Sequence, residues 1–224
     1  MNRIDLMDKF VQIAIDGPAA AGKSTIAKIM ADQLGYVYVD TGAMYRAITW
    51  AALHKKLAIN NEKEVAKLLA ETDIVLAPGG RVLVNGEDVS IQIREPAVTS
   101  SVSQVAAYET IRKALKKRQI ALTNATNVIM DGRDIGTHVL PHADFKFFMI
   151  ADARVRAERR HQENLERGIP SDLDSLEEEI KKRDEMDANR EHAPLKQAKD
   201  AILIDTSALS IHEVVDKMVG FVLK

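Results

Sequence analysis

Short apolar runs that stop at polar loops alternate with stretches whose apolar positions recur every three or four residues. That alternation predicts a βα chain. Val11 to Ile15 (VQIAI) is an apolar run halted by Asp16-Gly17-Pro18, the pattern of a buried strand entering a loop. From Lys23 to Leu34 the residues Ile26, Ala27, Ile29, Met30 and Leu34 fall at helical spacing, and Gly35 supplies the stop. Tyr36 to Val39 predicts a second strand ending at Asp40-Thr41-Gly42, and Tyr45 to His54 and Glu62 to Glu71 predict helices. Asn127 to Asp131 (NVIMD), Phe145 to Ile150 (FKFFMI) and Ala201 to Asp205 (AILID) predict further strands. Arg154 to Arg167, Leu176 to Arg190 and Ile211 to Leu223 predict the helices around them. Five strands alternating with helices imply an α/β fold, a five-stranded parallel sheet flanked by helices.

The period changes between Asp73 and Val89. IVLA, a Pro78-Gly79-Gly80 turn, RVLV, an Asn85-Gly86 turn and EDV read as two tight hairpins. An antiparallel patch inside a βα chain predicts a small β insertion rather than part of the main sheet. Ala97 to Ala125 is helical again, with a break expected near Tyr108. The expected organisation is a single domain over 1–224. Its core spans about 10–60, 126–151 and 200–224, an insertion spans about 61–125 and a lid about 152–172.

Composition narrows the classes. Apolar residues are 46% and charged residues 29%, ordinary for a globular protein, and 224 residues suit one core with one insertion. The formal net charge of -2 gives no overall attraction to nucleic acid or anionic membrane. Without cysteine there is no disulfide, thiolate catalysis or Cys-bound zinc. No apolar run approaches the roughly 18 residues needed to span a bilayer. Met1 to Phe10, carrying Asp5 and Asp8, lacks the apolar stretch of a secretory signal. A cytoplasmic monomer is expected.

GPAAAGKST, from Gly17 to Thr25, satisfies G-x-x-x-x-G-K-[ST] between a strand and an amphipathic helix. Its glycines let successive backbone N–H groups turn toward phosphate oxygens, and the helix N-terminus adds a positive dipole end. The loop residues Gly17, Pro18, Ala19, Ala20, Ala21, Gly22, Lys23, Ser24 and Thr25 are thus the candidate nucleoside triphosphate site. Lys23 reaches the β- and γ-phosphates, and the Ser24 hydroxyl ligates Mg²⁺. The motif alone does not separate kinase, ATPase and GTPase, but no N-K-x-D segment for reading guanine is present.

Arg46, Arg112, Arg133, Arg183 and Arg190 stand at loop and helix ends. Guanidinium forks match phosphate, and a kinase whose acceptor is itself a phosphate needs a second anion site. Taken singly, each arginine is more often a solvated surface charge, and only their occurring together, alongside the further motifs of the chain, points to a site. Arg183, Asp187 and Arg190 are spaced four and three apart, which puts them on one helix face; an exposed ion-pair ladder would look the same. Arg154, Arg156, Arg159 and Arg160, with Arg167 beyond, suggest a mobile lid over the phosphates, although Glu158, Glu163 and Glu166 are interleaved. Arg156 and Arg159 are its catalytic candidates.

Five segments, in order, resemble the bacterial cytidylate kinases, the CMP/dCMP kinases among the P-loop nucleoside monophosphate kinases. They are IDGPAAAGKST (Ile15 to Thr25), DTGAMYR (Asp40 to Arg46), NGEDVS with SSVSQVAAYETIRKAL (Asn85 to Leu115), DGRDIGT (Asp131 to Thr137) and KKRDEMDANREHAPL (Lys181 to Leu195). The resemblance covers most of the chain from Val11 to about Ile211. It implies ATP-dependent phosphorylation of CMP and dCMP with Mg²⁺. It places Thr41 and Arg46 on the acceptor nucleotide and makes Ser103 and Arg112 a cytosine-reading pair. It puts Arg133 on the acceptor phosphate and Asp134 on the base. Arg183, Asp187 and Arg190 then line the acceptor site, with Asp187 on the sugar hydroxyls. Threonine stands at position 41 where the family often has serine, which keeps the hydroxyl. AAA at Ala19 to Ala21 replaces a common S-G-A, at positions where the backbone does the binding.

The chemistry agrees. A phosphate monoester acceptor, with a second pKa of about 6, is largely dianionic at neutral pH and needs no general base. Catalysis then rests on positioning and charge stabilisation. A carboxylate such as Asp134 can accept from cytosine's exocyclic amine, which uracil lacks. The rivals are a P-loop kinase with another acceptor, such as a different nucleotide or shikimate, and a nucleotide-switched binding module using the hairpin patch. A nucleic-acid binder fits worse, given the acidic total and the lack of aromatic-basic interleaving.

Overall fold

The computed structural model describes residues 10–166 and 168–223. Asp5, Asp8 and Arg167 lie outside the described residues. In chain order the first elements are β1 (Gln12–Asp16), α1 (Lys23–Leu34), β2 (Val37–Asp40), α2 (Thr41–His54), α3 (Glu62–Ala70), β3 (Ile74–Ala77), β4 (Arg81–Val84) and β5 (Glu87–Asp88). They are followed by α4 (Pro96–Ala107), α5 (Glu109–Ala121), β6 (Val128–Gly132), β7 (Phe145–Ile150), α6 (Ala153–Glu166), α7 (Leu173–Asn189), β8 (Ile202–Asp205) and α8 (Ile211–Val222).

Five strands form a parallel sheet in the order β2-β6-β1-β7-β8. Its central strand is β1, and Ile13, Ala14 and Ile15 are fully buried because both faces of the sheet are covered. Ile13 and Ile15 join Ile26, Met30, Phe147, Val214 and Met218 on the face beneath α1 and α8. Ala14 points the other way, toward Val39, Met130, Ile135 and Val139. Burial of each such isoleucine contributes about 1.5–3 kcal/mol. In register, Asp131 pairs with Ile15 and with Asp40, and Asp16 with Gly132. Three carboxylates therefore stand at or one residue before the C-terminal ends of their strands, along one edge, where a ligand site in a parallel α/β sheet belongs.

The insertion is a separate antiparallel sheet, β3-β4-β5. Asn85 and Gly86 turn it with φ of 49° and 84°, the left-handed pair that an Asn-Gly hairpin requires. Its apolar face, with α3, α4 and α5, closes over α2 in a second core that includes Ile48, Leu69, Val84, Ile93, Val105 and Leu115. The expected helix break falls at Tyr108, whose hydroxyl donates to the Ile59 carbonyl at 2.8 Å.

Two helices begin earlier than their apolar periodicity predicts, because an aspartate caps each. Asp40 accepts from the Ala43 amide at 2.8 Å and starts α2 at Thr41 rather than Tyr45. Asp172 accepts from the Ser175 amide at 2.8 Å and starts α7 at Leu173 rather than Leu176. A π-helical turn over Ile135–Val139 follows β6 and carried no periodic signal. Among the described residues no helix is long and apolar enough to cross a membrane.

Candidate active site

The glycine loop leaves β1 at Gly17. A Cβ there would sit 2.1 Å from the Met149 carbonyl oxygen, and φ is +151°, so no side chain fits. Ala20 and Gly22, with φ of 59° and 86°, curl the loop back to α1. Among the described residues none caps the N-terminus of α1 with a side chain, and its first turn holds no acidic residue. Its first amides are therefore left for an anion. Ala19 to Thr25 line the cleft, whereas Gly17 and Pro18 shape the loop from behind. Lys23, 5% exposed, donates from Nζ to the Pro18 carbonyl at 2.6 Å. Burial and the nearby Arg133 push its amine well below the ordinary lysine value, so a polyanion would be a welcome partner.

Ser24 Oγ donates to Asp131 Oδ2 at 2.9 Å, and Tyr38 Oη donates to Oδ1 of the same carboxylate at 2.9 Å. Burial and then Asp40 push Asp131 up to about 6. A buried carboxylate hydrogen-bonded to a hydroxyl is a donor set that suits a hard divalent cation. Asp16 is engaged elsewhere: Oδ1 accepts from the Ile135 amide at 2.8 Å and Oδ2 from the Gly136 amide at 2.7 Å.

Opposite the loop, a cleft of about 1540 Å³ gathers Thr41, Arg46, Ser103, Arg112, Arg133, Asp134, Arg183, Asp187 and Arg190 from α2, α4, α5, the turn after β6 and α7. Residues up to 149 positions apart in the sequence thus meet on one surface. Arg112 donates from Nη1 to the Ala106 carbonyl at 3.0 Å and from Nη2 to Asp134 Oδ2, with its guanidinium 5.6 Å from the centre of the Tyr45 ring. Arg133 Nε donates to Asp187 Oδ2 at 2.9 Å. Arg190 lies 3.6 Å from Asp134 and 3.8 Å from Asp187. Burial would raise Asp187, but Arg133, Arg183 and Arg190 outweigh it and hold the carboxyl below its usual range.

The cations outnumber these anions. Among the described residues Arg183 Nε is buried without a hydrogen-bond partner, and burial, then Arg133 and Arg46, push its guanidinium down to about 9. Arg46 is likewise pushed down, first by burial. Desolvated guanidiniums crowded together with too few carboxylates call for an incoming anion.

The lid arginines divide into different roles. Arg154 is half-exposed and bridges to Asp174 at 2.6 Å and Glu177 at 3.1 Å, on an ion-pair ladder between α6 and α7. Arg159 lines the cleft and donates to the Thr206 carbonyl at 2.6 Å. Arg156, expected with Arg159 to act on phosphate, is 5% exposed and absent from the cleft lining. Its Nε donates to the Ala151 carbonyl at 2.8 Å, Nη1 to the Ala19 carbonyl at 3.0 Å, and Nη2 lies 2.6 Å from Asp184. With each nitrogen occupied by protein, it braces the loop from behind. Thr41 also differs in detail: its hydroxyl proton goes to the Asp131 carbonyl at 2.7 Å, leaving the oxygen to accept. Arg94, 3.7 Å from Asp40, and Arg160 add cations to the cleft that the sequence reading did not assign to substrate. Only their placement beside Arg46 and Arg133 marks them out.

A cytidylate kinase family model matches residues 13–224. The chain belongs to the cytidylate kinase family. It is 54% identical over 219 residues to the cytidylate kinase of Anoxybacillus flavithermus, covering 96% of this chain and 97% of the relative. It is 53% identical over 221 residues to that of Oceanobacillus iheyensis, covering 97% and 96%. Against that of Bacillus anthracis the identity is 53% over 220 residues, covering 97% and 98%. Solved structures share the fold at lower identity. An uncharacterized protein from Eubacterium ventriosum matches with a TM-score of 0.55 at 12% identity, covering 96% of this chain and 99% of that one. A sugar kinase from a Janibacter species matches with a TM-score of 0.50 at 11% identity, covering 96% and 95%. As a cytidylate kinase family member the chain is a kinase, a phosphotransferase with ATP as donor.

Proposed function

We propose that this chain moves the γ-phosphoryl group of ATP onto CMP and dCMP, giving CDP and dCDP. One observation carries the reading: two anion poles share one cleft, an uncapped helix N-terminus with Lys23 on one side and surplus desolvated guanidiniums on the other. Two phosphates must be brought end to end for direct transfer, and each pole suits one of them.

Lys23 and the loop amides hold the ATP phosphates, and the Ser24 hydroxyl, hydrogen-bonded to Asp131, would hold Mg²⁺. Mg²⁺ would neutralise charge on the β- and γ-phosphate oxygens. Arg46, Arg133 and Arg183 hold the acceptor phosphate, and Thr41 accepts a hydrogen bond at the acceptor nucleotide. Asp134, oriented by Arg112, accepts from the cytosine amine, with Ser103 beside it. Asp187 receives the sugar hydroxyls and Arg190 supports both carboxylates. Arg159, on α6, approaches the transferring group as the lid closes, excluding water that would otherwise hydrolyse ATP. The acceptor dianion attacks without a general base.

The chain then works as one domain in three parts: a core of about 10–60, 126–151 and 200–224, an acceptor-binding insertion of about 61–125 and a lid of about 152–172. It acts as a cytoplasmic monomer on small molecules, with neither nucleic acid nor membrane as partner. ADP formation against a panel of CMP, dCMP, UMP, AMP, GMP and shikimate tests the substrate. CMP and dCMP should lead the panel, and equal rates across it would overturn the reading.

A further inference from the structure

We infer that Asp16 is a positioning residue that ties the acceptor-reading pair Arg133–Asp134 to the root of the phosphate loop. Asp16 is the last residue of β1 and precedes Gly17. Its backbone is in register with Gly132 at the end of β6. Its side chain takes the amides of Ile135 and Gly136 at 2.8 and 2.7 Å. One residue therefore secures both ends of the two-residue segment between Gly132 and Ile135: the strand ladder fastens the near end and the carboxylate the far end.

The arrangement demands a carboxylate. In the ionised form both oxygens accept, whereas a carboxamide, or the protonated acid that prevails below about pH 7, turns a donor toward one of the two amides, so the clamp is complete only above that pH. Asp16 is 4% exposed, so water has no room to substitute. The clamp is also sterically closed. A Cβ at Gly132 would meet Ile135 Cδ1 and Thr41 Oγ1 at 2.7 Å, and one at Gly136 would come within 3.4 Å of Asp16 Oδ2. Asp16 does not line the cleft, and both its oxygens are spent on backbone. It acts through the segment it holds, so the register of the acceptor site is set from the strand that launches the donor loop.

The inference rests on the reading of Arg133 and Asp134 as acceptor residues, and the test separates the two. KM and kcat for CMP, UMP and ATP are measured at about pH 8, above the Asp16 titration, for wild type, Asp16→Asn and Asp134→Asn at temperatures below each melting point. Asp16→Asn should raise KM for CMP about tenfold and cut the CMP-over-UMP preference by a similar factor, with KM for ATP within about twofold of wild type. A variant that loses CMP and ATP affinity alike, or keeps both, overturns the clamp when Asp134→Asn loses base preference. If Asp134→Asn keeps its base preference, the base-reading assignment falls. The clamp is then judged on KM for CMP alone, through Arg133: a rise supports it and no change overturns it. Should Asp16→Asn not fold, amide exchange in the wild type decides. Ile135 and Gly136 must exchange among the slowest amides of the chain, and exchange at surface-loop rates overturns the clamp.

Discussion

Arg133 Nε donates to Asp187 Oδ2 at 2.9 Å, joining the turn after β6 to helix α7 across the acceptor half of the cleft. Asp187 is 4% exposed, and Arg133, Arg183 and Arg190 together hold its carboxyl below the usual range. Removing its charge takes the carboxylate partner from Arg133 and leaves the crowded guanidiniums Arg133, Arg183 and Arg190 less compensated. Asp187→Asn should cost about 3 kcal/mol of unfolding free energy. It should also narrow the CMP-to-dCMP ratio of kcat/KM, because the lost carboxylate is the one assigned to the sugar. Denaturant titration and paired kinetics measure both, and an unchanged ratio would move the sugar contact elsewhere.

Lys23 is buried with its amine on a carbonyl, held far below its ordinary pKa. Lys23→Met keeps the aliphatic stem and removes the strained charge. Turnover should fall by about 10²–10³ while the melting temperature holds or rises. Near-normal turnover would refute the phosphate loop as the donor site.

Arg156 and Arg159 lie one helical turn apart and should fail in opposite ways. Arg156→Met strips the partner from Asp184 and from two carbonyls in the interior, and should cost about 3–5 kcal/mol of stability. Arg159→Met should change stability by less than about 1 kcal/mol but lower kcat by roughly 10²-fold. Thermal melts beside steady-state rates separate the two, and the reverse pattern would exchange their roles.

Burial pushes Asp16 up to about 7 although the Gly136 and Ile135 amides pull it down; Asp134 adds to the rise and Lys23 opposes it. The ordinary aspartate value is 3.8, so between about pH 4 and 7 the folded chain keeps a proton that the unfolded chain has released. This group's contribution to stability is therefore full below pH 4, falls as pH rises through that window, and levels off above 7. The stability of wild type relative to Asp16→Asn should drop by roughly 2 kcal/mol from pH 5 to pH 8. A constant difference would show that Asp16 titrates at its ordinary value.

The sheet strands, the antiparallel insertion and the phosphate loop were legible because each is written in contiguous residues. Apolar runs mark parallel strands buried on both faces, Asn85-Gly86 marks a turn, and the glycine-lysine-serine spacing marks the cradle. Helix starts at Thr41 and Leu173 were missed because a cap is a single side chain reaching one amide, invisible to periodicity. The π-helical turn after β6 was missed because its anchor, Asp16, lies about 120 residues away.

Sequence by itself determined the order of elements, the donor loop and the residue types able to face two anions. Spacing alone left each arginine open to a surface reading, and only the family resemblance singled out Arg46, Arg112, Arg133, Arg183 and Arg190 for the acceptor and Arg156 and Arg159 for the lid chemistry. Tertiary structure alone decided among them: Arg154 became a surface ladder, Arg156 an interior brace, and Arg46 and Arg183 charges in want of an anion. The physical reason is that a guanidinium's role depends on what satisfies its donors and on how much water remains beside it. Both are set by neighbours brought from distant parts of the chain, not by the residues on either side.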